Sequence, residues 1–210
     1  MAKTELILSI DIEADGDSPL ISSMLSFSIA AFTIDKVLVD VFSRNLLERE
    51  GSVPSPKTMA WWNSSETNRA AYTTTRIDAV TPVVAMTDMR NWTEILKEKY
   101  RLTPAAYPAG YDYMWVQAYA TAFTRNENGD SDNPLGIACF DLKSFVHGFH
   151  KPQAEYRTIA KRMFPKNWFD DLVHTHIAED DAIEQGCLIV NVLRAARGLP
   201  AIIGYTDSRV

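Results

Sequence analysis

The chain has 210 residues, is 46% hydrophobic and 23% charged, and carries a net charge of −6. That length suits one sizeable core, so a single domain over residues 1–210 is expected. No apolar run approaches the ~20 residues of a membrane span, and Glu5, Asp11 and Glu13 break up the N-terminal "MAKTELILSIDIE". Neither a membrane anchor nor a signal peptide is expected, and a cytoplasmic location is.

The predicted elements follow in chain order. "TELILSIDI" (4–12) reads as a buried strand, and "SSMLSFSIAAFTI" and "KVLVDVFSRNLL" as two more, turning near Asp35-Lys36. This predicts an antiparallel meander. Residues 55–72 read as one helix with Pro56 at its start. "TPVVAMTDMRNWTEILKEKY" is a helix capped by Thr81, with Val84, Met89, Trp92 and Leu96 as its apolar stripe. "TPAAYPAG" is a short strand, followed by a helix with Trp115, Val116, Tyr119 and Phe123 on one side. "RNENGDSDNP" is a loop and "LGIACF" a strand, after which Asp141 caps a short helix. A long helix over 178–198, ended by Gly198 and Pro200, closes the chain. The fold class is α/β, with a mixed five-stranded sheet, an antiparallel meander plus parallel strands, flanked by helices. Cys139 and Cys187 lack metal-type spacing and read as buried free thiols.

Acids stand out at three places. Side chains alternate across a strand, so Asp11 and Glu13 share a face about 7 Å apart, with Ile12 opposite. Such carboxylates repel one another, and a cation between them would remove that cost. Asp112 lies where strand gives way to helix, on the side of Trp115, Val116 and Tyr119. It reads as a first-turn aspartate or as another ligand. On the last helix, the 100° step puts Asp181 inside the buried arc. Asp180 falls on the outer face beside Cys187, Glu184 and Asn191. A buried Asp181 needs a partner. His174 competes with His176 for a role. A zinc His-x-His site is disfavoured, because the remaining histidines, His147 and His150, lie on another helix.

Asp11-Ile12-Glu13, then Asp112, then His176-x-Ala178-x-x-Asp181-Ala182 resembles the DEDDh family of 3′→5′ exonucleases, which share the ribonuclease H-like fold. "Thr58-Met-Ala-Trp61-Trp62" looks like a branch of bacterial and phage exonucleases with a T-x-x-W-W segment. The second motif departs from many members, which carry an Asn upstream. The resemblance implies that Asp11, Glu13, Asp112 and Asp181 hold two Mg²⁺ or Mn²⁺ ions. It implies that His176 is the general base toward water and, by the H-x-A-x-x-D-A spacing, that His174 is the histidine expected to matter least. Ala14 and Gly16 would pass the terminal sugar, Met24 and Leu25 would wedge the last base, and Trp61 and Trp62 would supply one inward and one stacking ring.

The net charge argues against a nucleic-acid partner unless acids are ligands, and two divalent cations would move it to about −2. Arg157, Lys161, Arg162 and Lys166 then form either a basic patch or a solvated helix face. The expected activity is release of nucleoside 5′-monophosphates from single-stranded RNA or DNA 3′ ends, with RNA slightly favoured. A homodimer is compatible, since related exonucleases are often dimers. Two other readings stay open, a catalytically silent binding module of the same fold and a phosphohydrolase acting on small phosphates.

Overall fold

The computed structural model describes residues 3–126 and 128–209. Strands β1 (Thr4–Ala14), β2 (Met24–Phe32) and β3 (Val37–Asn45) form the expected meander. Asp11 pairs with Ser28 and Glu13 with Ser26, and a bulge follows between Glu13 and Ala14. The β2–β3 turn places Lys36 at φ +60°. Its buried ammonium bonds Asp170 at 2.8 Å and the Ile202 carbonyl at 2.6 Å, so the turn is tied to the C-terminal segment.

Strand β4 (Tyr100–Ala106) runs parallel to β1, with Thr4 opposite Tyr100 and Ser9 opposite Ala105. Two short strands extend the edges, β5 (Phe140–Asp141) beside β4 and β6 (Thr206–Asp207) beside β3. The sheet has six strands in the order β5-β4-β1-β2-β3-β6, where five were expected. The added strand is only two residues long, too short for any alternating pattern to announce it. The fifth strand was expected over "LGIACF", but only its last residue, Phe140, pairs. Gly136 turns at φ +79° and its N–H bonds the Asn133 carbonyl, so the chain is still in a turn there.

The segment read as one helix is two, α1 (Pro56–Trp62) and α2 (Glu66–Thr74). Ser65 restarts the helix by accepting a bond from the Asn68 N–H at 3.0 Å. Helix α3 (Pro82–Lys99) carries the predicted Thr81 cap. Its inward face is Ala85, Met86, Met89, Thr93 and Leu96, and Val84 is exposed. Helix α4 (Asp112–Phe123) and helix α5 (Leu142–His150, capped by Asp141) agree with expectation. Helix α6 (Ala178–Ala196) stops two residues short of the expected end, and Gly198 makes the turn at φ +71°.

Alternation along β1 divides the core. Leu6, Leu8, Ile10 and Ile12 pack with α3 and α4 on one face. Ile7 packs with α5 and α6 on the other. By the same period Asp11 and Glu13 face α6. Gln185 of α6 donates to the Ile10 carbonyl at 2.8 Å, which pins the helix across the strand beside these acids. Gly186 allows the close approach, because a Cβ there would lie 2.5 Å from the Phe32 ring and 3.1 Å from Ser9 Cβ. Gly186→Ala is expected to lower stability by about 1–3 kcal/mol, read by denaturant unfolding. An unchanged midpoint would show that the helix can lift without cost.

Asp180 is exposed and Asp181 is buried, as the helical phase required. Cys187 and Asn191, expected on the outer face with Asp180, are buried too. The neighbouring coil covers them, and Asn191 bonds the carbonyls of Trp168 and Ile202, each at 3.0 Å. Both cysteines are free; Cys187 is buried and Cys139 half-buried. No helix among the described residues is long and apolar enough to cross a membrane.

Candidate active site

β1 and β4 run parallel, so Asp11 and Glu13 near the end of β1 lie beside the loop that leaves β4 and starts α4 at Asp112. The α6 N-terminus brings Asp181 over them. Asp11, Glu13 and Asp181 each offer a carboxylate oxygen, and these lie within 4.8 Å of one another. Asp112 is buried next to them, and its charge is felt at both Asp11 and Glu13. Four acids from three distant segments thus meet in one crevice at the strand ends.

Their electrostatics are unfavourable without a counter-charge. Burial pushes the Asp11 carboxyl well above its ordinary value, and repulsion from Asp112, Glu13 and Asp181 adds to it. Glu13 is raised by burial and by Asp181 and Asp112. Asp112 is raised by burial. Asp181 differs. Burial would raise it, but bonds from His174 and from the backbone N–H groups of Thr175 and His176 outweigh this and hold it below its ordinary value. A cluster of converging, half-starved carboxylates suits hard divalent cations, so the donor set fits Mg²⁺ or Mn²⁺.

His176 sits just before α6, half-buried, at φ +60°, an uncommon backbone for a non-glycine residue. Its ring meets Trp61 edge-on at 4.9 Å and His174 edge-on at 4.5 Å. Burial, with His174 nearby, keeps its pKa below the ordinary value, so the ring is neutral at neutral pH. His174, expected to matter least, lies against the cluster with Nδ1 3.1 Å from Asp181 Oδ2. The contact arises because Asp181, seven positions on, returns through the first turn of α6 to face both histidines.

Two clefts flank the acids. One of about 310 Å³ is bordered by Glu13, Ala14, Asp17, Lys57, Trp61 and Tyr111. The other, about 400 Å³, is bordered by Asp11, Tyr107, Lys161, His174 and Glu184. A larger cleft of about 590 Å³ lies at the opposite end of the strands, by Lys3, Lys97 and Tyr100. Trp62 is buried, with Nε1 donating to the Ala14 carbonyl at 3.0 Å, whereas Trp61 is 40% exposed. Gly16 is buried against Ser22, and its carbonyl accepts from the Tyr111 hydroxyl at 3.3 Å. Met24 and Leu25 are fully buried, so neither has surface with which to wedge a base; the wedge expectation does not fit this arrangement.

Lys57, Tyr111 and Lys161 were not singled out for the site. Tyr111 precedes Asp112, which was the available signal. Lys161 lay in the basic stretch, but that stretch is neither a continuous patch nor a helix face. It runs through three 3₁₀ turns, in which Arg157, Arg162 and Lys166 are exposed. Lys161 turns inward to Glu184 at 2.7 Å.

No family model matches the chain. It is 27% identical over 179 residues to the 3′-5′ DNA exonuclease Cap18 of Escherichia coli, covering 81% of this chain and 85% of that protein. The nuclease domain of 3′hExo, a DEDDh family member bound to rAMP, superposes with a TM-score of 0.62 at 12% identity, covering 97% of each chain. Pop2p of S. pombe, in its Mg²⁺ and Mn²⁺ bound form, superposes with a TM-score of 0.59 at 12% identity, covering 90% of this chain and 82% of that one. The chain thus shares its fold with these nucleases, and its sequence is similar to that of a 3′-5′ DNA exonuclease.

Proposed function

We propose that the protein is a metal-dependent 3′→5′ exonuclease that hydrolyses single-stranded nucleic acid to nucleoside 5′-monophosphates. The observation that carries this reading is the convergence of Asp11, Glu13 and Asp181 oxygens with Asp112 beside them, a cluster in which burial and mutual repulsion outweigh the one nearby lysine at Asp11. In this reading Asp11, Glu13, Asp112 and Asp181 hold two Mg²⁺ or Mn²⁺ ions. Bound there, the ions supply positive charge at the scissile phosphate and at the attacking water.

The chain's own groups supply the rest. His176, neutral at neutral pH, takes a proton from water through an imidazole nitrogen. Water oxygen bonds to phosphorus, the P–O3′ bond breaks, and the departing 3′ oxygen takes a proton. The products are a nucleoside 5′-monophosphate and a strand shortened by one residue. The 310 Å³ cleft is of nucleotide size; Ala14 borders it, whereas Gly16 is not part of its lining.

Trp61 is the proposed stacking ring and Trp62 the ring that packs inward. Trp61→Ala is expected to raise KM roughly 5- to 100-fold with unfolding unchanged. Trp62→Ala is expected to cost about 3–5 kcal/mol of stability. Steady-state kinetics and denaturant unfolding on both variants check this. Equal effects of the two substitutions on KM and stability would remove the division of labour.

The relative's name favours DNA as substrate, while the leaning toward RNA rests on no residue of the cleft. DNA is therefore proposed as the better substrate. The test uses matched DNA and RNA oligonucleotides labelled on the 3′-terminal nucleotide, with Mg²⁺. Expected is early release of labelled nucleoside 5′-monophosphate, faster from DNA. Release of labelled dinucleotides or longer pieces, or of no label, would refute the reading.

A further inference from the structure

We propose that His174, His176 and Asp181 form a site for a borderline-soft ion of the zinc type, overlapping the acid cluster and inhibitory when filled. The inhibitory part rests on the exonuclease reading; the binding part stands alone. The sequence offers no further histidine or cysteine beside this His-x-His pair, since His147 and His150 lie on α5. Here the third ligand is Asp181, and one donor atom from each of the three side chains lies within 4.8 Å of the others.

The spacing suits zinc. With bonds of about 2.0–2.1 Å in tetrahedral geometry, neighbouring ligand atoms stand about 3.3 Å apart. His174 Nδ1 and Asp181 Oδ2 are 3.1 Å apart. The two imidazoles already meet edge to face at 4.5 Å, so a side-chain rotation brings the third donor in. Three protein ligands would leave a fourth position open to water, as in many zinc sites.

The chemistry separates this site from the acid cluster. Imidazole nitrogen suits zinc-like ions, whereas Mg²⁺ prefers oxygen. Lys161, which borders the same cleft as His174, is compensated by Glu184 at 2.7 Å. His174 is half-exposed, so an ion can enter from solvent. An ion held there would occupy an imidazole nitrogen of His176 and draw Asp181 from the other acids. Cleavage would stop without any loss of fold.

The test measures Zn²⁺ binding to metal-free protein by competition with a chromophoric chelator, and the visible absorption of Co²⁺ in its place. Wild type is expected to bind one Zn²⁺ tightly and to give the intense bands of four-coordinate Co²⁺. His174→Ala is expected to bind at least about tenfold more weakly and to lose those bands. Asp11→Asn is expected to keep both. In the second arm, Zn²⁺ added to a Mg²⁺ cleavage assay should inhibit wild type at far lower concentration than His174→Ala. Equal Zn²⁺ affinity and Co²⁺ spectra in wild type and His174→Ala would overturn the site. Equal loss in Asp11→Asn would also overturn it, by moving the ion to the acid cluster. Because binding is read without substrate, a chain with no nuclease activity would refute the exonuclease reading and leave this result intact.

Discussion

Asp11→Asn is expected to lower the cleavage rate by at least about 10³-fold, some 4 kcal/mol of lost charge stabilisation, and to make the metal-free protein more stable. The two effects share one cause. The Asp11 carboxyl is pushed up by burial and by Asp112, Glu13 and Asp181. A carboxyl whose folded pKa exceeds its unfolded value destabilises the fold once it ionises. That cost is absent below the unfolded value, grows as pH rises toward the folded value, and is fully present above it. At neutral pH the amide removes it, so the melting temperature should rise by a few degrees, about 1–2 kcal/mol at this chain length. Mg²⁺ should raise the wild-type melting temperature and move that of the variant less. A variant that melts lower than wild type without metal would show that Asp11 is held by partners and not strained by neighbours.

The second large effect is at His176. His176→Ala is expected to reduce kcat by about 10²–10⁴-fold while KM changes little. The residue adopts φ +60°, a backbone unfavourable for a side chain with a Cβ. His176→Gly should therefore lose activity equally and unfold no earlier than the alanine variant. Single-turnover rates and melting curves on the two variants check the pair. A kcat within threefold of wild type for both would remove His176 from the chemistry.

Legibility followed the range of each physical rule. The face of Asp11 and Glu13 was readable because strand period 2 is local, and they do face α6 as Ile7 does. The split between Asp180 and Asp181 was readable from helical phase. That rule failed for Cys187 and Asn191, because burial there comes from the Trp168 and Ile202 segments, which no periodicity of α6 encodes. β6 escaped, and β5 was placed too early and too long, because a two-residue strand is decided by its neighbour's edge.

Within the site, Trp61 and Trp62 were foreseen as one outward and one inward ring. Met24 and Leu25 were expected at the cleft, but they are fully buried. The motif spacing favours His176 over His174, yet His174 reaches Asp181 as well. Asp181 lies seven positions on, and only the loop-to-helix geometry closes that gap. Lys161 was seen as charge without direction. Its direction comes from Glu184 on α6, a contact across 23 positions.

The most direct measurement of the central claim is a time course on a single strand labelled at its 5′ end, with Mg²⁺ and then with EDTA. Expected is a ladder that shortens one nucleotide at a time from the 3′ end and an intact strand in EDTA. Immediate release of the labelled 5′ nucleotide, a single internal cut, or a ladder that persists in EDTA would contradict it.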